Sequence, residues 1–176
     1  MVFLEKMKTL TGRENLLWNK RKKRSMLHIY IDGDACSVKD EVYKVAARYD
    51  LHVTVVANSH MSVPNEPKIK FELVAEGIDA ADDWISESAD QGDIVITTDI
   101  PLADRCIKKQ ARVIGPKGQE LSEENIGNAL ATRELMTHLR AIGEGKGGPA
   151  PMTKKDRSQF LSQLDQIINA VKKHGR

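Results

Sequence analysis

Cysteine is scarce: Cys36 and Cys106 are the two in 176 residues, and neither belongs to a Cys-x-x-Cys pair. That argues against a disulfide framework and against a thiolate zinc site, and it fits a reducing compartment. Aromatic residues make up 5% of the chain, too few to suggest a single-strand groove built on stacked rings. No apolar run approaches the roughly 20 residues of a membrane span, and the N-terminus lacks the apolar stretch of a signal peptide. A cytoplasmic protein with no membrane partner is therefore expected. There is no internal repeat. Excess charge of one sign is also missing, because the formal net charge is only +2. That figure averages an acidic middle against a basic run at Lys20, Arg21, Lys22, Lys23 and Arg24 and a basic end at Lys172, Lys173 and Arg176.

What is present is alternation. Short apolar runs at 27–31, 53–57, 69–74, 94–97 and 112–114 read as strands, and amphipathic stretches at 38–49, 79–89 and 101–109 read as helices. Strands apolar on both faces and separated by helices predict an α/β domain with a mostly parallel sheet of five strands. Gly115, Pro116 and Gly118 break the pattern. A helix then opens near Ser122 and Asn125 and runs to about Leu139, with Ile126, Leu130, Leu135 and Leu139 as the stripe expected to pack on the domain. Residues 143–152 form a Gly/Pro loop. From Thr153 to about 173 a last helix carries Phe160, Leu161, Leu164, Ile167, Ile168 and Val171 on one side, with Thr153 and Asp156 as a capping box of acidic type. Residues 1–25 are expected to be a disordered basic extension outside the fold. Met26, where the first strand pattern begins, could be the biological start. The domain proper is 26–142, and the helix of 153–173 packs on it.

Ligands of an open parallel sheet bind beyond the carboxyl ends of its strands, so polar residues that directly follow a strand are the first candidates. Asp32 and Asp34 follow the first strand, and Asp99 and Asp104 follow the fourth. Asp82 and Asp83 open the helix before it. Six carboxylates on one edge would repel one another unless a cation neutralised them. Oxygen-only ligands suit Mg²⁺ or Mn²⁺. Each site also has a plainer role: Asp82 and Asp83 complement a helix dipole, Asp99 before Ile100 and Pro101 makes a good N-cap, and Asp34 caps a turn with Gly33. Asn58 and His60 follow the second strand and could meet phosphate or base, and Lys117 in the Gly115–Gly118 turn could meet a phosphate. Cys36 has no matched base and reads as a small hydrophobe.

The runs Ile29-Tyr-Ile-Asp-Gly-Asp-Ala-Cys36, Val55-Val-Ala-Asn-Ser-His60, Asp79-Ala-Ala-Asp-Asp-Trp-Ile85, Asp93-Ile-Val-Ile-Thr-Thr-Asp99 and Gly147-Gly-Pro-Ala-Pro151 resemble the bacterial YaiI/YqxD family, a largely uncharacterised group. The match covers residues 27 to about 171. It departs at Ser37, where the family commonly has Pro, and at Met152, where an aromatic is common. The resemblance implies a three-layer α/β/α, PIN-like (Rossmann-like) domain with an acidic Mg²⁺ or Mn²⁺ site. On that pattern Asp32, Asp82 and Asp99 are the catalytic carboxylates, with Thr97 completing a Thr-x-Asp, and Asp34, Asp83 and Asp104 are auxiliary ligands. The pattern also has a Glu on an intermediate helix, for which Glu41 and Glu76 both stay open. The activity implied is metal-dependent phosphodiester hydrolysis, with RNA favoured over DNA as substrate and partner. Two alternatives remain. Asp32-Gly-Asp34 also looks like the nucleophile motif of a haloacid-dehalogenase-type phosphatase, with Asp99 and Asp104 on Mg²⁺, and a non-catalytic RNA-binding protein would keep the same residues. Oligomeric state is not legible.

Overall fold

The computed structural model describes residues 26–174 except 35, 76, 78, 145–147 and 149. The basic run Lys20–Arg24, Glu76 and part of the 143–152 loop therefore lie outside the described residues. Strands β1 (His28–Asp32), β2 (His52–Ala57), β3 (Ile69–Leu73), β4 (Ile94–Ile96), β5 (Arg112–Ile114) and β6 (Glu120–Leu121) form one sheet in the order β3-β2-β1-β4-β5-β6. The first five are parallel and β6 runs antiparallel to β5. Helices are α1 (Lys39–Tyr49), α2 (Ala80–Ser88), α3 (Ile100–Ile107), α4 (Ile126–Ala141) and α5 (Lys154–His174).

The two-residue period of the strands divides the core. Ile29, Ile31, Val53, Val55, Ile94 and Ile96 face one side, where Val42, Val45 and Ala46 of α1 and Phe160, Leu164, Ile167 and Ile168 of α5 cover them. Tyr30, Val56, Val95 and Val113 face the other, under Ile85 of α2, Leu102, Ala103 and Cys106 of α3, and Ile126 of α4. This is the three-layer α/β/α arrangement, and it explains why β1, β2 and β4 read as continuous apolar runs.

Two expectations change. The sheet has a sixth strand, too short for any periodicity, made when the turn after β5 folds back with Gly115 N donating to Gln119 O at 2.9 Å. Gly118 serves that turn with φ +88°, and a Cβ there would come within 3.0 Å of the Phe160 backbone nitrogen, so the close approach of turn and α5 requires glycine. The stripe of α4 also fails to pack along its length. Ile126 is buried and Leu130 is partly covered, but Leu135 is 58% exposed. The capping box is present: Thr153 N and Oγ1 donate to Asp156 Oδ2 at 2.9 and 2.8 Å, and Asp156 N donates to Thr153 Oγ1 at 3.1 Å. Among the described residues no helix is long and apolar enough to cross a membrane.

Candidate active site

From β1 the chain runs outward to β2 and β3, then returns to the other side of β1 to make β4 and β5. The loops leaving β1 and β4 therefore diverge, and a crevice opens beyond their carboxyl ends, the place where open α/β sheets bind ligands. A cleft of about 440 Å³ lies there, walled by Asp32, Asp34, Asn58, Asp82, Asp99 and Arg133.

Asp32 ends β1 and is only 7% exposed. Its Oδ2 accepts a hydrogen bond from Thr97 Oγ1 at 2.9 Å, and the same Oγ1 accepts from the Asp99 backbone N at 2.9 Å. The buried Thr97 thus joins the end of β1 to the loop after β4 and fixes both aspartates. Asp99 caps α3, its Oδ1 accepting from Leu102 N at 2.8 Å, so the N-cap role read from the sequence holds alongside the place on the cleft. Asp34 is held across the β1 and β2 loops, accepting from Asn58 N at 3.3 Å and Ser59 Oγ at 3.1 Å. Gly33 N donates to Val56 O at 2.8 Å. A Cβ on Gly33 would meet that carbonyl oxygen, the Val55 side chain and Met61 at 3.0 Å, so glycine lets the loop turn tightly against β2. Lys39 steadies the other side of this loop, donating to Gly33 O and Cys36 O at 2.9 and 3.0 Å.

The charges are not balanced within the cleft. Burial pushes the Asp82 carboxyl up to about 6, with the Asp99 and Asp32 carboxylates adding to the shift. Asp32 is raised too, first by burial and then by Asp34 and Asp99, against the lowering effect of the Thr97 hydrogen bond. Burial and repulsion between neighbouring carboxylates thus act in the same direction on Asp32 and Asp82. Among the described residues, the Asp82 carboxylate accepts no hydrogen bond, and Arg133 is the one cation on the cleft wall.

Oxygen donors alone fit Mg²⁺ or Mn²⁺ and do not suit zinc. Among the described residues no three Asp, Glu, His or Cys side chains are gathered closely enough to make a ready cage for an ion. Asp32, Asp82 and Asp99 all line the cleft without forming such a cage.

Other residues singled out in the sequence stand apart from the cleft. Asp83 is paired with Arg105 at 2.8 Å, and Asp104 with Lys108 at 2.6 Å. His60 lies against Phe71 with ring centroids 6.3 Å apart. Lys117 is close enough to Asp156, at the start of α5, to help hold that carboxyl below its usual range, after the Thr153 hydrogen bonds. Glu41 pairs with Arg157 at 2.8 Å and ties α1 to α5. Cys36 is buried with its thiol pushed up to about 11, chiefly by burial, as befits a small core residue. Arg133 was not singled out in the sequence. Its signal is helical phase: seven residues beyond the buried Ile126, it falls on the same face of α4.

The family model described as "Uncharacterized BCR, YaiI/YqxD family" matches residues 30–170. The chain belongs to the YaiI/YqxD family. Relatives at about half identity span nearly their whole length. A UPF0178 protein of Paramagnetospirillum magneticum is 55% identical over 84% of this chain and 98% of that protein. One of Rhodopseudomonas palustris is 51% identical over 86% and 98%, and one of Rhodospirillum centenum is 50% identical over 84% and 99%. Among solved structures, yeast methylglyoxal/isovaleraldehyde reductase Gre2 complexed with NADPH gives a TM-score of 0.35 at 13% identity, covering 65% of this chain and 50% of that one. A likeness that low carries no argument. The YaiI/YqxD match encloses every residue of the cleft, from Asp32 to Arg133.

Proposed function

We propose that this YaiI/YqxD protein is a Mg²⁺- or Mn²⁺-dependent nuclease that hydrolyses phosphodiester bonds, with RNA favoured over DNA. What carries the reading is the grouping of Asp32, Asp82 and Asp99 around one cleft at the switch point of the sheet, with two of the three carboxyls raised by burial and by one another. Bound among these carboxylates, the cation would supply Lewis acidity and counter-charge for a phosphodiester. The chain's own part is to hold Asp32 and Asp99 through Thr97 and to present Arg133 to the phosphate. Water is the expected attacker, since Cys36 is buried and His60 is not among the residues that wall the cleft. The phosphatase reading keeps Asp32 and Asp34 but needs Asp104, whose carboxylate is engaged by Lys108. It is the weaker of the two.

The test is incubation with labelled single-stranded RNA, single-stranded DNA and a phosphomonoester, each with Mg²⁺, with Mn²⁺ and with chelator. Strand cleavage that needs the metal and disappears in Asp99→Asn is the expected result. Hydrolysis of the monoester through a trapped aspartyl-phosphate would establish the phosphatase instead, and strand binding with no turnover in any metal would establish a non-catalytic protein.

A further inference from the structure

The acidic cleft does not end at Arg133. A second groove, also about 440 Å³, continues from it between the start of α3 and the exposed side of α4, sharing Ile100 and Arg133 with the first. Its lining is mostly apolar, with Ile100, Ala129 and Met136, and its charged residues are Arg133 and Arg140. The two arginines are seven residues apart on α4, about 10 Å along the axis and on one face. Neither side chain makes an ion pair or hydrogen bond among the described residues, and both are exposed.

We infer that this groove is the path of a single nucleic-acid strand leaving the acidic cleft, with Arg133 and Arg140 on two of its phosphates and Met136 beneath a sugar or base. The inference rests on the nuclease reading and deepens it by placing the substrate. Charge complementarity argues for this occupant. A cleft of four aspartates repels a polyanion, so a strand entering it must be gripped by cations immediately outside, and Arg133 stands at that seam. A second copy of the chain fits less well. A symmetric pair of α4 helices through this face would bring arginine against arginine. With no aromatic ring lining the groove among the described residues, the grip is on backbone charge and shape, and it tolerates any sequence.

The experiment is fluorescence anisotropy of the full chain with mixed-sequence RNA and DNA strands of about 15 nucleotides, in chelator, over a series of salt concentrations. Arg133→Ala and Arg140→Ala should each weaken binding several-fold and flatten the slope of log K against log salt by about 0.7. Lys172→Ala, on the opposite helical layer, should leave both unchanged. Thermal melts of each variant keep loss of folding out of the comparison. If binding and slope stay at the parent values in both arginine variants, or if the parent binds neither strand, the groove is not the strand path. A change of oligomeric state in Arg140→Ala with unchanged strand binding would assign the face to a second copy and overturn the proposal. Cleavage lost in Asp99→Asn but unaffected by the arginines would overturn the path and leave the nuclease reading intact. Arginine-dependent binding by a parent chain that cleaves neither strand with Mg²⁺ or Mn²⁺ would do the reverse.

Discussion

Asp82 is raised to about 6 because its ionised form is poorly hydrated and lies close to the carboxylates of Asp99, Asp32 and Asp79. A carboxyl whose pKa is higher in the folded than in the unfolded chain binds more protons when folded, so its effect on stability is favourable at low pH. That contribution is complete below about 4 and is lost as pH rises through about 6. Asp82→Asn is therefore expected to raise the metal-free melting temperature at pH 7.5 and to leave it nearly unchanged at pH 4; a thermal scan at the two values checks this. Thr97 makes the opposite kind of contribution. Thr97→Val keeps the shape but removes the hydroxyl that Asp32 and Asp99 share. It should cost about 1–3 kcal/mol in denaturant unfolding at neutral pH, because a buried carboxylate and a part-buried N–H lose a partner. Of the six aspartates, those at strand ends were legible because a strand fixes where its last residue lies. The other three lie on helices, where the outcome depends on helical phase, and of these Asp82 lines the cleft. Asp83 is turned about 100° from Asp82, and Asp104, five residues past Asp99, is turned about 140° away, which is why each reaches a cation on the outer surface instead.

The same arithmetic explains α4. Ile126 and Leu130 lie within about 40° of each other, but Leu135 falls about 180° from Ile126, so no single face contains the whole stripe. Its leucines count as apolar residues at nearly helical spacing, yet the body of the domain covers only the first turns. Leu135→Ala should accordingly change unfolding free energy by no more than about 0.5 kcal/mol. Leu164→Ala in α5, at 0% exposure against β1 and α1, should cost about 2–5 kcal/mol. Equal losses in chemical denaturation would mean that the two helices are covered alike. The start of α5 was legible from Thr153 and Asp156 because a capping box is wholly local. By contrast β6 was not legible, since two residues carry no period and their pairing with β5 is set by the turn through Gly118.

For the whole molecule, alternation of short apolar and amphipathic runs was enough to give a parallel sheet between two helical layers. The strand order that makes the site depends on which crossover returns beside β1, and this follows from packing beyond any local pattern. That return sets β4 next to β1 and so joins Asp32 to Thr97, 65 residues away in sequence, and through it to Asp99. The most direct test of the account is a thermal titration with Mn²⁺ at pH 7.5 of the parent chain and of Asp32→Asn, Asp82→Asn and Asp99→Asn. The parent should gain about 2.7 kcal/mol of stability at one hundred times its dissociation constant. Each variant should start at or above the parent without metal and gain much less from it. A parent that Mn²⁺ leaves unmoved, or variants that gain as much as the parent, would contradict the claim that these three carboxylates hold the cation.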